Sequence, residues 1–183
     1  MKKISLIAVL TLIVVLVASC GGKAATSSYA DALEVINTVW SNVAEADKYP
    51  VGGGDSANLN MEGPAKFDHT NKEELDVTLA LPAALADQID DAASMMHMMN
   101  ANMMTAGAYR LVEGTDATAF ANDYKANLAD RRWMCGSPEK YIVIGSGNYV
   151  VTAFGSAQNI DSFKAAAEKL ENATVLVEGD IEV

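Results

Sequence analysis

The chain opens on a segment that takes itself out of the fold. Met1-Lys2-Lys3 is a short basic start, and Ile4 to Val17 is an uncharged run of 14 residues in which only Ser5 and Thr11 are polar. That length suits the hydrophobic region of a signal peptide and falls short of the roughly 20 residues a membrane-spanning helix prefers. The run closes on Val17-Ala18-Ser19-Cys20-Gly21-Gly22, where small residues precede a thiol, as a leader peptidase requires. Residues 1–19 are therefore expected to be a signal peptide, and the folded body must come from the residues beyond them. The chain holds 2 cysteines. If Cys20 is consumed at the new N-terminus, Cys135 is the sole thiol left and no intrachain disulfide is possible. Residues 29–183 must then be held by a hydrophobic core, and a single α+β domain of that length can bury one.

Val17-Ala18-Ser19-Cys20 is similar at every position to the lipobox of bacterial lipoproteins. The thiol takes a diacylglycerol at the bilayer, so Cys20 is the expected lipid-attachment residue and the outer face of the cell membrane the expected location. Residues 20–28 are small and polar after the cysteine and read as a flexible tether. Losing Lys2 and Lys3 leaves 11 of the 13 basic residues against 24 acidic ones, a net charge of −13. Anionic headgroups repel such a domain, so membrane contact is expected through the acyl chains. The same charge argues against nucleic acid, which needs a basic face. With 2 His and 2 Cys in all, a zinc ribbon or iron–sulfur cluster has too few ligands, and no cofactor is expected.

Tyr29, Ala32, Leu33, Ile36, Val39, Trp40 and Val43 recur at helical spacing and predict a helix of about four turns, with Ser27 or Ser28 as N-cap. Residues 47–69 carry most of the turn chemistry and read as a long loop. Thr70-Asn71-Lys72-Glu73 has capping-box spacing. Pro82 ends that helix and opens another, expected to run through Leu85, Ile89 and Ala92. Residues 95–104 are open to two readings. A helix would put Ile89, Ala92, Met96, Met99 and Met103 on one stripe; a strand would put Met95, His97 and Met99 on one face and Met96 and Met98 on the other. Thr105 to Val112 reads as extended. Asp116 caps a helix carrying Phe120, Tyr124 and Leu128. Tyr141–Ile144 and Tyr149–Phe154 form a hairpin, Ile160 to Leu170 a helix, and Thr174–Val177 a last strand. From residue 95 the order is strand, helix, strand, strand, helix, strand. That order predicts an antiparallel sheet of ferredoxin-like (βαββαβ) type with both helices on one face, and extra N-terminal helices over an edge or the other face.

Several stretches carry a resemblance. They are Ile89-Asp90-Asp91-Ala92-Ala93-Ser94-Met95-Met96-His97-Met98-Met99-Asn100-Ala101-Asn102, Thr105-Ala106-Gly107-Ala108-Tyr109, Arg132-Trp133-Met134-Cys135-Gly136, Gly147-Asn148-Tyr149-Val150-Val151, Phe154-Gly155 and Pro50-Val51-Gly52-Gly53-Gly54-Asp55. Over nearly the whole mature chain the sequence resembles small Firmicutes lipoproteins often labelled bacteriocin transport accessory proteins; Met103-Met104 departs from the Thr-Phe expected there. The resemblance implies a cell-surface lipoprotein with a part in the export or handling of secreted peptides, and favours an extended chain near residues 96–100.

Three constellations could carry chemistry. Met95, His97 and Met99, with Cys135 from elsewhere, offer soft ligands suited to Cu(I); the plainer reading is that methionine fills an irregular core. Cys135 and His97 could form a thiol nucleophile pair oriented by Asn100 or Asn102, against a buried structural cysteine. Pro138 stands where a thioredoxin-type second cysteine would be, so disulfide exchange is not expected. Asp87, Asp90 and Asp91 could serve acid–base work or calcium, against a solvated helix face. Arg131-Arg132 complements a helix end or grips an acidic group. The expectation drawn from all of this is a non-enzymatic protein that binds a secreted peptide, a surface protein or a small ligand.

Overall fold

The computed structural model describes residues 27–133 and 136–182. Among these residues, seven antiparallel strands form one sheet: β1 (Val51–Gly52), β2 (Ala65–Phe67), β3 (Ile89–His97), β4 (Met104–Leu111), β5 (Lys140–Ser146), β6 (Tyr149–Gly155) and β7 (Ala173–Asp180). Their order is β1-β3-β4-β6-β5-β7, with β2 sharing the outer edge of β3 with β1. Helices α1 (Ala32–Asn42) and α5 (Ala157–Ala167) cover one face, and α2 (Lys72–Leu79), α3 (Ala83–Ala86) and α4 (Ala117–Asp130) cover the other. Among the described residues, no helix is long and apolar enough to cross a membrane.

The α+β class and the antiparallel sheet stand as expected. The strand order does not follow the ferredoxin-like pattern. β4, α4 and β5 form the expected split unit, with β6 between the two strands. β7, however, pairs with β5 and not with β4, whose other edge is held by β3. Sequence neighbours joined by a short connection pair first, and residues 98–103 are all that separates β3 from β4.

The helix expected through Ile89 and Ala92 stops at Ala86, and both residues belong to β3. Three smaller corrections concern local caps and the long loop. Asp31, and not Ser27 or Ser28, caps α1 by accepting from the Glu34 N–H. The capping box is shifted by one residue: Asn71 accepts from the Glu74 N–H and donates to its carboxylate. The segment 47–69 is not free of structure, because β1 and β2 lie within it and Gly53 bridges to Asn60.

Burial explains why α1 holds its place. Ala32, Val35, Ile36 and Val39 are fully buried on one stripe, each large side chain contributing about 1.5–3 kcal/mol of transfer free energy. Its first turn is anchored from the sheet, where the Asp91 carboxylate accepts from the Ala32 N–H at 2.8 Å. Lys66 reaches the same carboxylate at 2.6 Å.

Candidate functional site

Strand register lines up a row of side chains beneath a groove on the α2–α4 side. Met96 of β3 lies opposite Thr105 of β4, Thr105 opposite Phe154 of β6, and Phe154 opposite Tyr141 of β5. Phe154 and Tyr141 belong to the core under α4, so this cross-strand row faces that side. The chain leaving α4 folds back over this row, and the Trp133 ring packs on Phe154 with centroids 5.1 Å apart.

Arg131 fixes the opposite wall. Its Nη1 lies 2.9 Å from the Asp76 carboxylate, and its Nη2 donates to the carbonyls of Asp76 and Val77 at 2.7 and 2.9 Å. A guanidinium suits this task because its planar fork serves several acceptors at once. The C-terminal end of α2 is thereby held at a set distance from Trp133, over whose ring the Arg131 guanidinium also sits, 5.6 Å from the centroid. Between these walls runs a groove of about 390 Å³, within the lower part of the size range of small-ligand sites. Met96, Thr105 and Phe154 make its floor; Val77, Thr78 and Trp133 its walls; Ala101, Asn102 and Arg132 its rim.

Of the polar side chains in the groove, Arg131, Arg132 and Trp133 only donate, while Thr78, Asn102 and Thr105 can also accept. Arg132 is exposed at the mouth. The Trp133 indole N–H is buried and has no hydrogen-bond partner, a condition that costs about 1–3 kcal/mol. The Asn102 side chain donates to the Gly136 carbonyl at 2.7 Å, and the Thr105 hydroxyl donates to the Ala101 carbonyl at 3.0 Å. These two bonds tie the rim residues to Gly136 and to the start of β4.

The methionine–histidine segment is divided by the strand it sits on. Met95 is fully buried on the α1–α5 side, and Met99 is 80% exposed beyond the end of β3. His97 stacks on Tyr49, with centroids 4.6 Å apart and planes 22° apart. Its Nδ1 accepts from the Met99 N–H at 3.0 Å, which assigns the proton of the neutral ring to Nε2. That bond shapes the chain where it leaves β3. Met95 and Met99 thus stand in core and solvent respectively and do not converge on His97. Among the described residues, no group of three or more His, Cys, Asp or Glu is placed to hold a metal ion. Cys135 and Cys20 lie outside the described residues. Trp133 packs on the α4 side of the sheet and His97 on the α1 side.

The paired acids have structural partners. Asp90 accepts from Arg110 Nε at 2.6 Å, Asp91 holds α1 and Lys66, and Asp87 pairs with Lys72. The Pro50–Asp55 stretch also resolves into a packing device. A Cβ on Gly53 would stand 2.3 Å from the Ser94 carbonyl oxygen and 2.5 Å from the Ala65 nitrogen, so only glycine fits. The Ser94 hydroxyl accepts from the Gly54 N–H at 2.7 Å and donates to its carbonyl at 3.1 Å.

Sequence reasoning singled out Arg131 and Arg132 but missed Met96, Trp133 and Phe154 as a site. The available signal was an Arg-Arg-Trp triplet directly after the predicted end of α4, an aromatic–cation cluster where the chain must turn. No protein-family model matches the chain, and no curated protein and no solved structure matches it.

Proposed function

We propose that this protein is a lipoprotein anchored through Cys20 to the outer face of the cell membrane, and that it binds a ligand in the groove beside Trp133 without transforming it. The observation that carries the binding reading is the groove itself. It combines a floor of Met96, Thr105 and Phe154, a wall held by Arg131, and the exposed Arg132 among its lining residues. Such a combination, apolar lining with a few converging polar groups, is what ligand sites share. The anchoring reading is supported by the leader, by the cysteine after small residues, and by the short polar stretch before Ser28. Ser28 is tied to the body through the Glu171 carboxylate at 2.6 Å. The sequence resemblance points to secreted peptides as the ligand class.

Anchoring is tested by mass spectrometry of the mature N-terminus. A diacylglyceryl group on Cys20 is expected, and Cys20→Ala should leave unprocessed precursor; an unmodified N-terminus elsewhere overturns it. Binding is tested by hydrogen exchange on the membrane-bound protein with N-acetylated Leu-Phe, as free acid and as amide. Protection confined to Val77–Thr78, Ala101–Thr105 and Arg131–Trp133 is expected with at least one of them. Protection elsewhere, or none with either, overturns the groove as a ligand site.

A further inference from the structure

We infer that Met61, Met99 and Met103 form a sulfoxidation site, where peroxide is consumed before it reaches the methionines of the core and of the groove. The inference concerns these side chains and does not depend on what the groove binds. Met99 is 80% exposed, Met61 56% and Met103 40%, whereas Met95 and Met104 are fully buried. Met96 and Met98 are half-buried. Oxidation requires the oxidant to touch the sulfur, so exposure sets the order of attack. The strand separates close neighbours in the chain. Met95 points into the core under α1 and α5, and Met96 lies on the groove floor. Met98 folds back on β1: a Cβ at Gly52 would stand 2.5 Å from its sulfur and 2.9 Å from the Asn60 carbonyl oxygen. Its thioether therefore fills the notch that glycine leaves. Met99 stands in solvent beyond the end of β3.

The exposed thioethers gather where β3 ends and β4 begins. Met99 and Met103 bracket Ala101 and Asn102 of the groove rim. The Met61 Cα lies 3.7 Å from the same Gly52 Cβ position, beside the Met98 sulfur. Met99 and Met103 are held through their main chains. The Met99 N–H donates to His97 Nδ1 at 3.0 Å, and the Met103 carbonyl accepts from the Ser156 N–H at 3.0 Å and the Asn159 side chain at 2.9 Å. A change at either sulfur leaves those bonds in place. The step itself is a two-electron transfer. The sulfur lone pair attacks one oxygen of hydrogen peroxide, and an S–O bond forms as the O–O bond breaks. The sulfur is oxidised to the sulfoxide, and the departing hydroxide takes the remaining proton and leaves as water. One thioether consumes one peroxide. The polar product meets water at the three exposed positions, whereas at Met95 or Met104 it would enter the core.

The full chain, as isolated in detergent, is treated with limiting hydrogen peroxide, and sulfoxides are placed by peptide mass spectrometry with fragmentation across Met95–Met99. Early sulfoxide at Met61, Met99 and Met103 is expected to exceed that at Met95 and Met104 at least about tenfold, because the buried pair reacts only when the core opens. Met96 and Met98 should also lag behind the three. Protein oxidised at the three sites alone should keep the urea midpoint of untreated protein. Replacing all three by leucine retains apolar side chains without sulfur, and should raise sulfoxide at Met96 for the same dose of peroxide. Oxidation of Met96 or Met98 as early as Met99 overturns the assignment of the site. A Met96 yield that the leucine variant leaves unchanged overturns the shielding, and a midpoint that falls with the three sulfoxides overturns the claim that these positions tolerate the product.

Discussion

Replacing Asp55 by alanine removes one carboxylate and takes an acceptor from four donors. Asp55 is 3% exposed. One of its oxygens accepts from the Ala57 and Asn58 N–H groups at 2.9 and 2.8 Å, and the other from the Asp68 N–H at 2.7 Å. The Asn58 side-chain amide reaches both, at 3.1 and 3.3 Å. The Asn58 N–H has a fallback in the Asp55 carbonyl at 3.2 Å, and its side chain can turn to water. The Ala57 and Asp68 N–H groups are left. At about 1.5–3 kcal/mol for a hydrogen bond to a charged group, and with partial rehydration of a loop, Asp55→Ala is expected to cost about 3 kcal/mol. Asp55→Asn keeps one oxygen and opposes an NH₂ to one donor, for about half of that. Burial pushes the Asp55 carboxyl up, but the bonds from Asp68, Asn58 and Ala57 outweigh it and hold the group below its ordinary value. A depressed folded-state pKa means that the stabilisation is complete above the unfolded value, about 3.9, and is lost as pH falls through the folded value. Urea unfolding of wild type and Asp55→Asn at about pH 7, 4 and 3 isolates the term, since other carboxylates titrate alike in both. The gap between the two proteins should narrow toward the lowest pH. A gap that stays constant over that range, or an alanine variant that unfolds within 0.5 kcal/mol of wild type, an ordinary surface effect, refutes the reasoning.

Met95→Ala should cost about 2–5 kcal/mol by denaturant unfolding, because Met95 is fully buried. Met99→Ala, at an 80% exposed position, should stay within about 0.5 kcal/mol; a larger effect there, or a rise in stability with Cu(I) that either variant abolishes, would restore a ligand role. Gly107→Ala places a Cβ 2.1 Å from the Tyr109 hydroxyl oxygen, so a loss of about 1–3 kcal/mol is expected, read as a lowered Tm with the tyrosine near-ultraviolet circular dichroism changed. Arg131→Ala frees the end of α2 and should cost about 1–3 kcal/mol, with Arg131→Lys restoring only part of it, since an ammonium cannot reproduce the bonds to Asp76 and to both carbonyls.

The helices whose apolar spacing was unambiguous were legible in advance. Phe120, Tyr124 and Leu128 of α4 and Ile160 and Phe163 of α5 all face the cores their spacing implied. The reading failed where both periods fit. Ile89 and Ala92 satisfy a helical stripe with Leu85, yet they lie on a strand with a register irregularity between Ile89 and Asp91. Periodicity could not weigh the three strands that pair with β3, because those contacts are distant in sequence. The site was harder still. The groove depends on residues from β3, β4, β6, α2 and the end of α4 meeting at one end of the sheet, and no local pattern records that meeting.

The strand order itself had a signal that element order alone does not use. For two crossovers of one hand that start from antiparallel strands, the helices fall on the same face only when the steps across the sheet run in opposite directions. Here β4 steps over β6 to β5, and β6 steps over β5 to β7, both the same way. Because β4 and β6 are antiparallel, a common hand sends α4 and α5 to opposite faces, which is where they lie. A sheet covered on both sides needs strands apolar at every position, whereas one with a bare face alternates. Tyr141-Ile142-Val143-Ile144 and Tyr149-Val150-Val151 are such runs. Ile142, Ile144, Tyr149 and Val151 serve the core under α1 and α5, while Tyr141, Val143 and Val150 serve the core under α4. β7 lies at the open end of the sheet, paired on one side by β5, and its residues are correspondingly mixed, with Glu178 and Asp180 exposed. Charges on a free edge oppose pairing with another chain, so the strand that departs from the expected order is also the one whose composition suits an edge.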